Sequence, residues 1–567
     1  MTTKGQAEHK AGKERGQRKR GNEFLRCGAK RLVSAFAEQL HSTGTEPVVY
    51  SPILSPRRWR LGASLPLRLF LLTALSGLLL AGALPHLDWG WLAWVGLVPF
   101  LAQFPFRNKR TAFWQGFTLG VFYLGVMAYW VAIFAGHIIG PALSVVGWAL
   151  VTAYQAFYLG VFAVGAQWLA RRGVWAWRLG VPALWAIVEW WRQLGNLGLG
   201  WGDLAYTQHL ALPVLQVTKL TGIWGLAFLI VLVNAALAEL IKAPKARPKF
   251  PFAVGTLVVA ALVYGEITLD TEHLAPIFTA AALQGNINQN VVQDAAYRAR
   301  VVETFNRQSR DAARQGAALV VWPETAYPDF LQNFDTDRIQ VAAEAARNHQ
   351  TALIGGVEYD WAQHKNANSL FALTPAGTVT GSYQKRQLVP FGEFVPGRSW
   401  LPFLEALHVT TFDMKAGAET QALLDGGPGI GKIGATICFE SSYPRFLREQ
   451  VARGAGLLVI STDDTWFGRT AAARQHSAIA AVRAAETDRY LVRSAATGVS
   501  QIIAPTGRVL TEVGLFQQAV VAAPVQSRST LTPYVRWGDW FIGFCVLVLA
   551  GVNARVRRAG TAHNSGR

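Results

Sequence analysis

The chain has 567 residues, 51% of them hydrophobic and only 16% charged, whereas an average soluble protein is about 25% charged. With 21 Trp, this composition excludes a wholly soluble enzyme and a disordered protein. The net charge of +19 is unevenly placed: residues 1–60 hold 13 Lys and Arg against 5 Asp and Glu, while residues 271–530 hold 23 of each, a distribution that argues against nucleic-acid binding.

In chain order, residues 1–66 read as a basic cytoplasmic tail, disordered up to about Arg20. Eight hydrophobic segments follow, at 69–85, 89–106, 113–135, 142–170, 179–193, 222–241, 250–266 and 538–553. Basic loops alternate with near-neutral ones. Arg107, Lys109 and Arg110 follow the second segment, and Arg171, Arg172 and Arg178 follow the fourth. Lys242, Lys245, Arg247 and Lys249 follow the sixth, and Arg555, Arg557 and Arg558 the eighth. The loops at 86–90 and 136–141 have no Lys or Arg, and 194–221 has Lys219 alone. This alternation predicts eight spans with both termini cytoplasmic and 271–530 on the outer, periplasmic side. The predicted domains are the tail 1–66, spans one to seven in 67–270, a soluble domain 271–530, the eighth span in 531–556 and a short tail 557–567. Trp89, Trp91, Trp94, Trp190, Trp191 and Trp201 lie near span ends, as an aromatic belt or as lipid contacts. Glu189 and Arg192, one helical turn apart, read as an intramembrane pair that is either structural or functional.

The soluble segment reads as α/β. Strand-like runs lie at 277–283, 318–322, 352–357, 369–373, 433–438, 457–461 and 491–495, with helix-like stretches at 295–314, 336–348, 443–453 and 471–487. Pro375-Ala376-Gly377 marks a hairpin turn before a further strand. Three strand ends carry polar groups: Glu324 after Val-Val-Trp-Pro, Lys385 with Glu393 eight residues on, and Cys438 closing an apolar run. Singly, each has an ordinary explanation as a turn residue, a surface charge or a packed core thiol. Together, at the strand ends of one domain, they form an acyl-transfer set of nucleophile, base and oxyanion stabiliser.

These residues resemble the nitrilase superfamily, which uses a Glu-Lys-Cys triad in an αββα sandwich. With the membrane segments added, the chain from about 67 to 556 resembles the bacterial apolipoprotein N-acyltransferase family. The resemblance is carried by Leu283-Gln-Gly-Asn-Ile, Trp322-Pro-Glu, Tyr383-x-Lys-x-x-Leu-Val-Pro-Phe-Gly-Glu-Phe-Val-Pro, Ile437-Cys-Phe-Glu, Trp466-Phe-Gly and Thr532-Pro-Tyr-x-Arg-x-Gly-Asp-Trp. It implies a multi-pass inner-membrane enzyme that moves an acyl chain from a phospholipid to the α-amino group of an S-diacylglyceryl-cysteine at a lipoprotein N-terminus. It further implies Cys438 as nucleophile, Glu324 as base, Lys385 as oxyanion stabiliser, Glu393 and Glu440 as supporting carboxylates, and Trp466 and Phe467 on a mobile loop at the substrate entrance.

The chain departs from the family pattern at Phe439, where Tyr is frequent, at Asp463, where Asn is frequent, at Ala496-Thr-Gly, where Asn-Asn-Gly is frequent, and at Asn288 and Gln293. No metal or organic cofactor is expected: His364, His476 and the other histidines lack ligand spacing, and Cys27, Cys438 and Cys545 form no zinc or disulfide framework. The expected partners are the bilayer, a phospholipid donor and an apolipoprotein acceptor, with no nucleic acid, acting on a monomer. Two other readings share the same residues: a membrane-tethered amidase with water as acceptor, and a non-catalytic membrane scaffold.

Overall fold

The computed structural model describes residues 65–243, 249–270, 278–287, 295–332, 336–398 and 413–564. The predicted tail, apart from its last two residues, and the departures at Asn288 and Gln293 lie outside these. The membrane part comprises α1 (Leu65–Ala83), α2 (Lys109–Gly120), α3 (Trp130–Ile139), α4 (Pro141–Ala170), α5 (Val174–Arg192), α6 (Ile223–Lys242) and α7 (Lys249–Asp270), joined after the soluble domain by α12 (Trp540–Asn564).

Among the described residues, α1, α4, α6 and α7 are long and apolar enough to cross a bilayer, and α2 with α3 makes a fifth if that pair, bent by 62°, is one span. The other segments differ from eight uniform spans for visible reasons. The second breaks into short helices between Gly90 and Leu101, ahead of Pro105. Helix α5 carries Arg178, Glu189 and Arg192, and the apolar part of α12 ends at Ala554 although the helix runs on to Asn564.

The predicted Glu189–Arg192 pair is replaced by bonds from each residue to other groups. Arg192 donates to Asp203 and to Gln155, whereas Glu189 accepts the Leu204 N–H at 2.9 Å. The loop after α5 therefore folds back onto the helix end, where Asp203 pairs with Arg192 and the Leu204 N–H meets Glu189. Asp203 is fully buried, and removing one partner of a buried pair strands the other. Arg192→Met is accordingly expected to cost about 3–5 kcal/mol, read as a lowered unfolding temperature of the detergent-solubilised protein. Nor are the six tryptophans one belt: Trp89 and Trp91 are exposed, but Trp201 is 1% exposed.

The soluble domain contains two six-stranded sheets, ordered β12-β1-β2-β3-β4-β5 and β11-β10-β9-β8-β7-β6. The first is built from β1 (Phe278–Gln284), β2 (Ala317–Val321), β3 (Thr351–Asp360), β4 (Lys365–Leu373), β5 (Val379–Gln384) and β12 (Ala519–Val525). The second is built from β6 (Leu424–Asp425), β7 (Lys432–Ile437), β8 (Leu457–Thr462), β9 (Leu491–Ala495), β10 (Ser500–Ile503) and β11 (Val509–Val513). Alternation along the strands sorts the side chains. Ala280, Ala282, Leu319 and Val321 pack with Ile433, Ala435 and Val459 between the sheets. Ala281, Leu283, Val320 and Trp322 face α8 (Ala295–Arg314) and α9 (Thr336–Arg347) on the outside. Leu458 and Ile460 face α10 (Pro444–Ala452) and α11 (Ala471–Thr487). The result is the expected αββα sandwich, with the four predicted helices in place and the Pro375 turn closed by the Gly377 N–H on the Thr374 carbonyl.

Candidate active site

Strand β2, at the centre of its sheet, β7, beside the short edge strand β6 of the other, and the C-terminal end of β5 converge on one buried cluster. Glu324 lies just past β2, in the turn that follows Pro323. That turn presses on β3 so closely that a Cβ at Gly355 would stand 2.0 Å from the Pro323 carbonyl oxygen, which only glycine permits. Glu324 is 5% exposed. Its Oε1 accepts from Lys385 Nζ at 3.1 Å and from Asn368 Nδ2 at 2.6 Å, and its Oε2 from the Asp463 N–H at 2.7 Å.

Lys385, the residue after β5, is 1% exposed, and its backbone N–H still bonds the Asn368 carbonyl on β4. Nζ also donates to Glu393 Oε1 at 2.8 Å, and Glu393 Oε2 accepts the Val389 N–H at 2.8 Å. Burial pulls the ammonium down, but Glu324, Glu393 and Cys438 more than reverse this and hold its pKa well above the usual lysine value.

Cys438 follows β7 at the first position of a tight helical turn, Cys438–Ser442, with φ +51°. A cysteine in the left-handed region is under backbone strain of the kind found at functional sites. Burial, then Glu324, pushes the thiol pKa well above its ordinary value, and Lys385 offsets only part of that. At neutral pH the resting group is thus a thiol that needs a base, and Glu324 is the carboxylate whose field it feels first.

Glu440, fully buried, does not face the thiol as a base. It accepts N–H bonds from Arg386 (2.6 Å), Gln387 (3.1 Å) and Ile437 (2.9 Å) and the Tyr383 hydroxyl. One carboxylate thereby ties the chain beside Lys385 to the chain beside Cys438. Burial raises its pKa and these backbone donors oppose the rise.

The structure brings all five of these predicted residues together. Trp466 and Phe467 sit apart from them, on the short turn Thr465–Phe467, and face the membrane helices. Phe467 is buried against Trp130, with ring centroids 4.9 Å apart, while Trp466 is 39% exposed and reaches Phe134 at 6.4 Å. Only Trp466 thus keeps the exposure expected of an entrance residue.

Residues without a motif complete the site. Asn368 holds Glu324, and Gln475 accepts indole N–H bonds from both Trp130 and Trp201. Trp201 stacks on Phe439 at 6.2 Å and 18°. Tyr206 donates to the Ser442 carbonyl, and Tyr443 donates to that of Gly198. The loop after α5 is therefore the floor beneath the nucleophile's turn. Among the described residues, no group of three or more His, Cys, Asp or Glu is arranged to hold a metal ion.

Comparison with known proteins agrees with this arrangement. Residues 279–534 match the model of the carbon-nitrogen hydrolase family, and residues 76–236 match that of the apolipoprotein N-acyltransferase N-terminal domain. The chain is 34% identical over 514 residues to an apolipoprotein N-acyltransferase of Geobacter metallireducens, covering 88% of this chain and 98% of that one. It is 32% identical over 499 residues to one of Gloeobacter violaceus, covering 86% and 94%. A solved amidase from Nesterenkonia sp. overlays 48% of this chain and 96% of its own at 17% identity and a TM-score of 0.36. On the extent and identity of the full-length matches, the chain belongs to the apolipoprotein N-acyltransferase family.

Proposed function

We propose that the chain transfers an acyl group from a membrane phospholipid, through a thioester on Cys438, to the α-amino group of the S-diacylglyceryl-cysteine of an apolipoprotein. The observation that carries this is the buried Glu324–Lys385–Glu393 cluster around Cys438, in a domain whose Trp466 turn packs against Phe134 of a membrane helix. Glu324 takes the thiol proton as sulfur attacks the ester carbonyl. Lys385, with a backbone N–H, meets the negative charge on the oxygen. The C–O bond then breaks and the proton passes to the lysophospholipid oxygen. In the second half the neutral amine attacks the thioester, Glu324 accepts its proton, and the thiolate leaves and is reprotonated. An α-amino group with a pKa near 7.7–8.0 has a usable neutral fraction at neutral pH.

The membrane belongs to the mechanism. Bringing a C16 chain into water costs roughly 10 kcal/mol, at about 0.8 per CH₂, so both substrates must enter from the bilayer side. The reading keeps eight spans, with 67–270 and 531–556 in the inner membrane, 271–530 periplasmic and both tails cytoplasmic, on a monomer. Its support is the polarity of the contacts. The near-neutral loops meet the soluble domain, as in Lys219–Asp488 at 2.7 Å and Gln216 on the Thr506 carbonyl at 2.9 Å. The basic ends instead meet each other, as in Arg171 on the carbonyls of Phe106 and Arg107.

Incubation with phospholipid is expected to add one acyl mass, removable by hydroxylamine, to the wild type and none to Cys438→Ala. A diacylated lipopeptide should then discharge the adduct. Wild type that turns over lipopeptide with no dependence on Cys438 would sink the proposal. Trp466→Ala is expected to raise thioester hydrolysis relative to transfer, because water reaches the acyl-enzyme more easily; an unchanged ratio in the two-product assay would remove Trp466 from the entrance.

A further inference from the structure

A second buried group holds the nucleophile's own peptide from behind, and the chemistry above makes no use of it. His476, on α11, is fully buried. Its Nε2 lies 3.1 Å from the Cys438 carbonyl oxygen and 2.7 Å from Ser441 Oγ, and the Ser441 hydroxyl donates to that same carbonyl at 3.0 Å. On the far side of the ring, Nδ1 is 3.0 Å from Asp464 Oδ1 and 3.0 Å from an Arg493 guanidinium nitrogen, which pairs with Asp464 Oδ2 at 2.7 Å. Trp201 packs on the imidazole at 5.2 Å.

The protonation pattern follows from these neighbours. Burial, then Arg493, keeps the imidazole pKa below its ordinary value, so the ring is neutral and carries one proton. The Cys438 carbonyl can only accept, so its contact with Nε2 is a hydrogen bond with the proton on Nε2, shared with Ser441 Oγ; Nδ1 then accepts from Arg493, which also neutralises the Asp464 carboxylate beside it.

This carbonyl shares a peptide unit with the Phe439 N–H. In a trans peptide the C=O and N–H point in opposite directions, and a carbonyl that accepts hydrogen bonds makes its own N–H a stronger donor. Phe439 is also in the first turn of its short helix, where N–H groups have no intrahelical acceptor. Its ring has no hydroxyl, so any donor it offers the reaction is this N–H.

We infer that His476 is a positioning residue for acyl transfer: with Ser441 it fixes and polarises the Cys438–Phe439 peptide, so that the Phe439 N–H faces the oxyanion formed at the acylated carbon. Asp464 and Arg493 set the ring's orientation and tautomer. The inference rests on the thioester reading above.

The test compares two reactions of Cys438 in full-length wild type, His476→Leu and His476→Gln. The first is acylation by phospholipid. The second is alkylation by iodoacetamide, followed on the Cys438 peptide, which displaces iodide at a saturated carbon and builds no oxyanion. His476→Leu is expected to slow acylation about 100-fold, as loss of an oxyanion donor does, with the phospholipid KM unchanged and alkylation within about threefold of wild type. His476→Gln, which can still donate to the carbonyl, is expected to recover most of the acylation rate. Unchanged acylation in His476→Leu overturns the inference. So does an equal fall in both rates, which would place His476 in thiol activation or folding, and so does a Gln variant no better than Leu. Wild type that alkylates at Cys438 but is never acylated there overturns the thioester reading and this inference with it.

Discussion

Glu324→Gln is expected to slow acylation of Cys438 by about 10⁴-fold, the upper range for removing a general base. Two features of the site set the size. The Cys438 thiol is pushed well above its usual pKa by burial and then by Glu324, so almost no thiolate exists at neutral pH without proton transfer. The carboxylate is also saturated with donors, from Lys385 and Asn368 on one oxygen and the Asp463 N–H on the other. An amide has one acceptor oxygen, so Gln must turn its NH₂ toward one of these donors, and the oxygen left in place has little basicity. Removing the Glu324 charge also lowers the thiol pKa somewhat, which limits the loss but does not supply a base. With the base gone, hydroxide must make the thiolate, so the logarithm of the acylation rate should rise with a slope near one per pH unit, where wild type is flat. Single-turnover acylation followed by mass from pH 6 to 9 measures both. A variant within tenfold of wild type at pH 7 would give the proton to another group.

Much of this site is legible in the sequence, for a physical reason. Strand ends in an α/β sheet are where the backbone stops satisfying itself and side chains converge, so Glu324 and Cys438 could be read from where their apolar runs stop, and Lys385 from the end of the strand after the Pro375 turn. Glu393 and Glu440 came with the phrase around Lys385 and the residue pair after Cys438. Asn368 and His476 did not. The first lies inside strand β4 and the second inside a helix rich in alanine, and each acquires its role only from an element far away in the chain.

The same division runs through the fold. Long apolar strands and amphipathic helices were legible, but the short strands β6, β10 and β11 were not, nor was β12, Ala519–Val525, which contains Pro524. It tolerates that proline because it is an edge strand paired on one side only, to β1. In the membrane part, hydropathy marked the segments but not their form. Arg192 finds its partner in a loop that the hydropathy pattern leaves unplaced, and that loop turns a nominal span end into the floor of the active site.

Asp463→Asn is expected to stabilise the protein above pH 7 while changing little near pH 4. Asp463 is buried beside Glu324 and Asp464, and burial does most to raise its carboxyl from 3.8 to about 7, against the hydrogen bonds from Thr465. The folded pKa lies above the unfolded one, so the neutral acid is the form the fold prefers. That stability is complete below about pH 3.8, falls as the unfolded chain alone ionises, and is gone once pH passes about 7. Three pKa units at 1.36 kcal/mol each make the full difference about 4 kcal/mol. Asn cannot ionise, yet its Oδ1 can accept both Thr465 bonds, and the backbone N–H to Glu324 stays in place. The Asn variant should therefore unfold at nearly the wild-type temperature at pH 4.5 and clearly higher at pH 8, in detergent with tryptophan fluorescence as the readout. Equal differences at the two pH values would mean that Asp463 is already ionised in the folded state, and that Glu324 works beside a second negative charge throughout the neutral range.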